Sequence, residues 1–351
     1  MQLEVWNIEG KRFHFGQRGL GLEDSAITFP SDSLFAALTA CLAYRQNTAE
    51  LSTWVQAFRR ELPALVLSST LPYAGGVRFF PRPLYRTAAK TQSTAASGKE
   101  QKRIRYVSES VFRRLLGGET LASMVAEDCL LQGGQVLVSA EDRANLPKSA
   151  RQKDFQMWVT SQRARVTIGR DTANSELFHS GQVNFAPDCG LWFGVWWLDK
   201  IPQLKLLLSD ALQDLGDSGL GGERSVGLGQ ANIRMTGQLQ LPDAQDLWVS
   251  LSRYLPRPDE MDTLAVEGTA YALQTVGGWL NSPTAKSERR RPLHMLAEGS
   301  CFGSLPRRVP GQVVDVQPVY GNNNQPVGHE VWRCGLALPV GFESQSGGGA
   351  A

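Results

Sequence analysis

The chain predicts an α+β fold in two parts. Over residues 1–240, strand-like runs rich in Val, Phe and Trp alternate with two helix-patterned stretches. Over residues 241–340, Pro and Gly cut the sequence into short apolar runs that read as β. At 351 residues and 42% hydrophobic content, the chain can bury two cores.

Residues 1–15 read as a strand that places Leu3, Val5, Ile8, Phe13 and Phe15 among polar neighbours. Pro30-Ser31-Asp32-Ser33 offers helix-starting residues, and Leu34, Phe35, Leu38, Cys41 and Leu42 follow at helical spacing. Leu65–Pro72 and Val77–Phe80 predict a second strand region. Residues 86–105 have the Ala, Ser, Thr, Lys and Arg content of a mobile basic loop, and helical patterning returns over 108–127. All of 82–155 reads as an insertion. Strands are predicted from Arg165, over Gln182–Phe185, and over the aromatic run 191–198, which is expected in the core or at a subunit interface. Leu204, Leu207, Leu208, Ala211, Leu212 and Leu215 mark an amphipathic helix closed by Gly216. A glycine loop and a strand at 231–235 complete the series. The order strand, helix, two strand regions, helix, strand is that of a ferredoxin-like domain carrying a large insertion. A second α+β domain is expected over 241–340, and a disordered tail over 341–351.

Composition excludes several classes. The longest apolar run, 191–198, is too short to span a bilayer, and the start, Met1-Gln2-Leu3-Glu4-Val5-Trp6, reads as a strand rather than a leader. Five cysteines with no C-x-x-C pair predict reduced thiols in a cytoplasmic protein, without disulfides or structural zinc. Net charge is only +2, but its distribution is uneven: from Arg82 to Arg114 there are nine basic and two acidic residues. Lys286-Ser287-Glu288-Arg289-Arg290-Arg291 is a second basic cluster. Such patches suit a polyanion through counterion release, although charge runs also occur simply as solvated loops.

The most informative segment is Gly219-Leu220-Gly221-Gly222-Glu223-Arg224-Ser225-Val226-Gly227-Leu228-Gly229. Glycine at this density admits φ > 0 and close backbone approach, and successive N–H groups can then face an anion. Arg224 adds a planar, permanently charged fork. A tight helix-to-strand turn with a solvated Arg is the plainer reading. The segment is no Walker A loop, dinucleotide fingerprint or nucleophile elbow, because the residues those motifs require are missing. Contact with a polymer backbone stays open.

Three stretches together resemble the RAMP superfamily of CRISPR proteins, and within it the fourth Csm subunit of type III-A effector complexes. They are Phe13-His14-Phe15-Gly16 with Phe29–Leu38, the glycine loop after a long helix, and Arg291-Pro292-Leu293-His294-Met295-Leu296-Ala297-Glu298-Gly299-Ser300-Cys301-Phe302. The resemblance covers most of the chain and is weakest over 82–155. It implies two ferredoxin-like (RRM-type) domains and a non-catalytic subunit that binds the 5′ tag of the CRISPR RNA. Its implied partners are the large polymerase-like subunit, the backbone RAMP subunits and, indirectly, target RNA, with no cofactor, metal or membrane.

Carried over by position, Gly221, Gly222, Arg224, Ser225, Gly227 and Gly229 would contact RNA backbone. The helix start at Ser31 and Ser33 would donate N–H groups to a phosphate. Arg170 is a weaker candidate, because Gly169 departs from the family pattern before it. Phe13, His14, Phe15, Phe79, Phe80 and Tyr85 lie near basic residues, including Arg78 and Arg82, and are stacking candidates, with core packing as the alternative for each. Arg289, Arg290 and Arg291 complete the set of RNA-binding candidates.

Some RAMP proteins are metal-independent endoribonucleases that process precursor CRISPR RNA with a histidine near the N-terminus. His14, with Lys11 or Tyr44 as partner, is the alternative reading. His179, His294 and His329 are scattered and form no ligand motif.

Overall fold

The computed structural model describes residues 1–16, 24–85, 95–125, 130–152, 154–168, 175–284, 288–319 and 327–343. Strand β1 (Gln2–Glu9) turns Leu3, Val5 and Ile8 into the core, and a short β2 (Arg12–Phe13) follows. Helix α1 (Ser31–Tyr44) starts after Pro30 and buries Leu34, Phe35, Leu38 and Leu42, the spacing read from the sequence. Helix α2 (Thr48–Arg59) is capped by Asn47, whose side chain accepts from the Glu50 amide. Phe35, Trp54 and Phe58 form one aromatic knot between the two helices, with ring centroids 4.8–6.4 Å apart. Strands β3 (Leu65–Leu67), β4 (Leu71–Ala74) and β5 (Val77–Pro81) come next.

Residues 95–145 hold α3 (Ala95–Arg103), β6 (Tyr106–Ser108), α4 (Glu109–Leu116), α5 (Leu121–Met124), β7 (Leu130–Leu131), β8 (Val136–Leu137) and α6 (Ala140–Asn145). The helical pattern over 108–127 is thus present in α4 and α5. The basic stretch is not wholly loop: its second half is α3, and residues 86–94 lie outside the described residues. The insertion is also no appendage. Strands β6, β8 and β7 continue the central sheet past β5, and Phe80 stacks on Phe112 at 4.4 Å while meeting Trp192 edge-on at 5.1 Å. Burying that apolar surface fixes the insertion to the core.

A three-stranded sheet, β9 (Trp158–Ile168) with β10 (Ser175–Phe185) and short β2 on its edge, leads to β11 (Cys189–Trp197), α7 (Pro202–Ser218) and β12 (Asn232–Gln240). The sheet runs β12-β1-β11-β4-β5-β6-β8-β7, with β3 also on β11. Strand β1 pairs antiparallel with β11 and β12, setting Leu3 against Trp196 and Leu239. The expected strand-helix-strand-strand-helix-strand order is therefore present as β1, α1–α2, β3–β4, β11, α7 and β12. The aromatic run is the sheet's centre: Trp192 and Phe193 are buried, so it is core. Helix α7 does not stop at Gly216. A Cβ there would meet the Ala231 carbonyl oxygen at 2.6 Å, so that glycine serves helix-to-strand packing, and the helix ends at Gly219, whose φ is +94°.

The C-terminal part has β13 (Trp248–Ser250), β14 (Leu273–Val276), β15 (Leu293–Leu296), β16 (Cys301–Phe302), β17 (Val313–Asp315), β18 (Trp332–Cys334) and β19 (Pro339–Gly341). One 3-10 helix, Pro258–Ala265, is its only helical element among the described residues. The β character expected from Pro and Gly is there, whereas the two α-helices of a second ferredoxin-like unit are not among the described residues. Residues 341–343, expected in the tail, are part of the fold: Gly341 pairs with Trp248, and the amides of Phe342 and Glu343 donate to the carbonyls of Leu247 and Leu116. Residues 344–351 lie outside the described residues. The main core is continuous across both parts, since Val249, Leu251, Leu336, Leu338 and Val340 pack with the N-terminal set.

Candidate nucleic-acid interface

A cleft of about 2680 Å³ separates α1 and the glycine loop from the C-terminal segments 272–284 and 329–333, with 81–84 and 102–106 closing a third side. Small-molecule sites run to about 300–1,000 Å³, so this cleft has room for a length of polymer. Nine basic and five acidic side chains line it. Arg45 is held by Asp210 and Asp214, which push its pKa up. Arg82 donates to the Gln101 carbonyl at 2.9 Å, and burial pushes its pKa down. Arg224 is exposed and has no carboxylate within ion-pair distance among the described residues.

The glycine loop forms one wall. Gly221 has φ +93°, and a Cβ on it would lie 2.4 Å from the His14 carbonyl oxygen. Only glycine fits there. The Gly222 amide donates to the His14 carbonyl, the Gly229 amide to that of Arg12, and the Leu220 amide to that of Gly229, each at 2.9 Å. The amides of Gly219 and Gly227 bond to Leu215 and Arg224. With the Val226 amide on the Glu223 carbonyl, six loop donors are spent on the fold, which corrects the reading of the whole loop as an amide cradle. What it presents outward is the exposed run Arg224, Ser225, Val226 and Gly227. The Arg224 stem lies back over Gly219, where an added Cβ would come 3.2 Å from Arg224 Cγ. Glu223, next to them, is neutralised by an ion pair with Arg165.

His14 is buried at the foot of this wall. Its Nδ1 lies 2.6 Å from the Gly181 carbonyl oxygen, which can only accept, so Nδ1 carries the hydrogen. Lys11 lines a separate depression with Arg12 and Asn232. Tyr44 lies at the far end of α1, donating to Asn281 Oδ1 at 2.9 Å. Neither partner proposed for a nuclease is gathered at His14. Among the described residues no group of three His, Cys, Asp or Glu could hold a metal.

Other candidates move. Phe13 and Phe15 stack on each other at 5.2 Å and reach Phe185 and Phe29 within the core. Phe79 and Phe80 are buried too. As packed here, none of the four offers a face to a base. Tyr85 lies against Phe342. Arg78 is outside the cleft and pairs with Glu109 at 3.5 Å. Of the three arginines at 289–291, Arg290 lines the cleft, whereas Arg289 and Arg291 do not. Arg290 donates to the Gly277 carbonyl at 2.9 Å. Burial, then the charge of Arg333, pushes its pKa down to about 9, the mark of a cation short of compensation. Arg170 lies outside the described residues.

The start of α1 is already compensated. The Ser31 amide donates to Ser69 Oγ at 2.8 Å, and the Ser33 amide to the Pro30 carbonyl at 3.0 Å. Between them Asp32 is fully buried, with Arg333 at 2.6 Å and Arg253 at 3.5 Å. Both contacts are ionic, without hydrogen-bond alignment at the carboxylate. Arg333 also donates to Ser33 Oγ at 3.1 Å, and Arg253 stands 3.8 Å from Glu298. The phosphate expected at this helix start is thus replaced by a latch to the C-terminal part. Sequence reasoning missed Arg253 and Arg333, which stand alone among apolar neighbours and belong to no charge run.

Residues 243–342 match the family model for the CRISPR Csm4 C-terminal domain. Over 347 residues the chain is 28% identical to the CRISPR system Cms protein Csm4 of Mycobacterium tuberculosis (strain CDC 1551 / Oshkosh), covering 97% of this chain and 99% of the relative. The Csm4 of Thermococcus onnurineus (strain NA1) is 22% identical over 325 residues, covering 90% and 92%. Among solved structures, a Csm3–Csm4 subcomplex of the type III-A CRISPR-Cas interference complex contains a chain of like fold, with a TM-score of 0.64 and 17% identity over 97% of this chain and 99% of that one. With the order of elements, the C-terminal match and full-length relatives in agreement, the chain is similar from end to end to the Csm4 proteins of CRISPR systems.

Proposed function

We propose that this chain is the subunit of a type III-A CRISPR interference complex that binds the 5′ tag of the CRISPR RNA along the cleft between α1, the glycine loop and the C-terminal segments. It also docks the large polymerase-like subunit and has no catalytic centre of its own. In this reading the N-terminal part is a ferredoxin-like domain, supported by the order β12-β1-β11-β4 with every neighbour antiparallel. The C-terminal family match, which starts at residue 243, supports a boundary near residue 241. Relatives of like fold are described in a Csm3–Csm4 subcomplex and in a Csm1–Csm4 cassette, which supports both partners for this chain.

The observation that carries the RNA reading is the polymer-sized, net-basic cleft with exposed Arg224 on its rim. A single-stranded tag bound there would lay phosphates against Arg224 and Arg290, with its bases free to turn toward the walls. The test is the affinity of the purified chain for tag RNA over a salt series. Arg224→Ala is expected to weaken binding and to lower the slope of log K against log [salt] by about 1, one phosphate contact being lost. Unchanged affinity and slope would favour a subunit that touches only proteins.

A further inference from the structure

Resting on that reading, we propose that Trp279 is the stacking platform for one unpaired nucleobase at the C-terminal rim of the cleft. Its ring is 59% exposed, whereas Trp54, Trp192 and Trp248 are fully buried. A single exposed apolar residue is ordinary on a protein surface. What sets Trp279 apart is how it is held and what surrounds it.

Trp279 sits on a short ribbon. It pairs antiparallel with Arg289, the Leu280 amide donates to the Glu288 carbonyl at 2.8 Å, and the Arg290 amide donates to that of Gly278 at 3.0 Å. The Arg289 guanidinium stands 5.0 Å from the ring centroid, a cation–π brace. The neighbouring Arg290 lines the cleft together with Trp279 and has no carboxylate partner in ion-pair range among the described residues. One residue step thus offers an aromatic face and a cation, the pairing a nucleotide presents as base and phosphate. Asn281, two residues on, lines the cleft as well and is tied across it to Tyr44. The charge that Arg289 and Arg290 bring to this ribbon suits a nucleotide better than an apolar protein side chain. That favours a base.

The test uses the full chain and a series of single-stranded tag RNAs, each with one abasic position. Trp279→Ala should weaken binding of the intact tag about 10- to 100-fold with an unchanged salt slope, since no phosphate contact is lost. Trp279→Phe should keep most of the affinity. One abasic position should weaken the wild-type chain and cost Trp279→Ala nothing further. The ring is exposed, so both variants should melt like wild type. If Trp279→Ala binds every RNA like wild type while Arg224→Ala does not, the platform is refuted and the RNA reading stands. Loss of association with the large subunit in Trp279→Ala, at normal RNA affinity, would make the ring a protein contact instead. If the wild-type chain binds no tag RNA, the reading of the cleft falls and this inference with it.

Discussion

Asp32→Ala removes the carboxylate on which the latch between α1 and the C-terminal part converges. Asp32 is fully buried, and its partners Arg333 and Arg253 are 5% and 15% exposed. Removing one partner from a buried ion pair costs about 3–5 kcal/mol, because the survivor is left charged in a poorly solvating site. Two guanidiniums lose their partner here, but Arg253 keeps Glu298 at 3.8 Å, so the cost stays within that range. Each kcal/mol moves the melting temperature by roughly 2–4 °C in a domain of about 150–250 residues, and by less in a longer chain. A fall of about 6–10 °C follows, read by differential scanning fluorimetry at matched concentration. Arg333→Met in the Asp32→Ala background replaces the stranded cation with an apolar chain and should recover at least half of the loss. A shift below about 1 °C in Asp32→Ala, or a double variant no better than the single one, would refute the latch.

The glycine loop gives a paired comparison. Gly221→Ala meets the His14 carbonyl at 2.4 Å with φ at +93°, whereas a Cβ on Gly227, φ +82°, meets nothing within 4 Å. Gly227→Ala should therefore cost only the left-handed backbone penalty, about 1–2 kcal/mol, and Gly221→Ala more, with loss of tag RNA binding as the wall lifts from residues 14–15. Denaturant melts check the order, and equal costs would contradict it. Incubated with repeat RNA in EDTA, the purified chain should leave the RNA intact. Specific cleavage that disappears in His14→Ala would make the chain a processing nuclease.

Long periodic elements were legible in the sequence because their periodicity states which side is buried. The spacing Leu34, Phe35, Leu38, Leu42 gave α1, and the run 204–215 gave α7 up to its last turn. Misreadings arose where one residue type serves two ends. Gly216 reads as a helix stop, but it permits close approach to Ala231. Phe13 and Phe15, adjacent to basic residues in sequence, point into the core, because proximity along a chain does not give direction. The insertion was unreadable as sheet because β6, β7 and β8 are two or three residues long. The cleft's wall opposite the glycine loop was hidden for another reason. Arg253, Trp279 and Arg333 come together only through the antiparallel pairings of the C-terminal part, and none belongs to a local motif.

The most direct measurement is ultraviolet cross-linking of tag RNA within the assembled complex, followed by peptide mapping of this chain. The account predicts adducts in peptides covering 219–229 and 277–282, which face each other across the cleft. Adducts confined to the outer strand 232–240, with both cleft peptides unmodified, would contradict it.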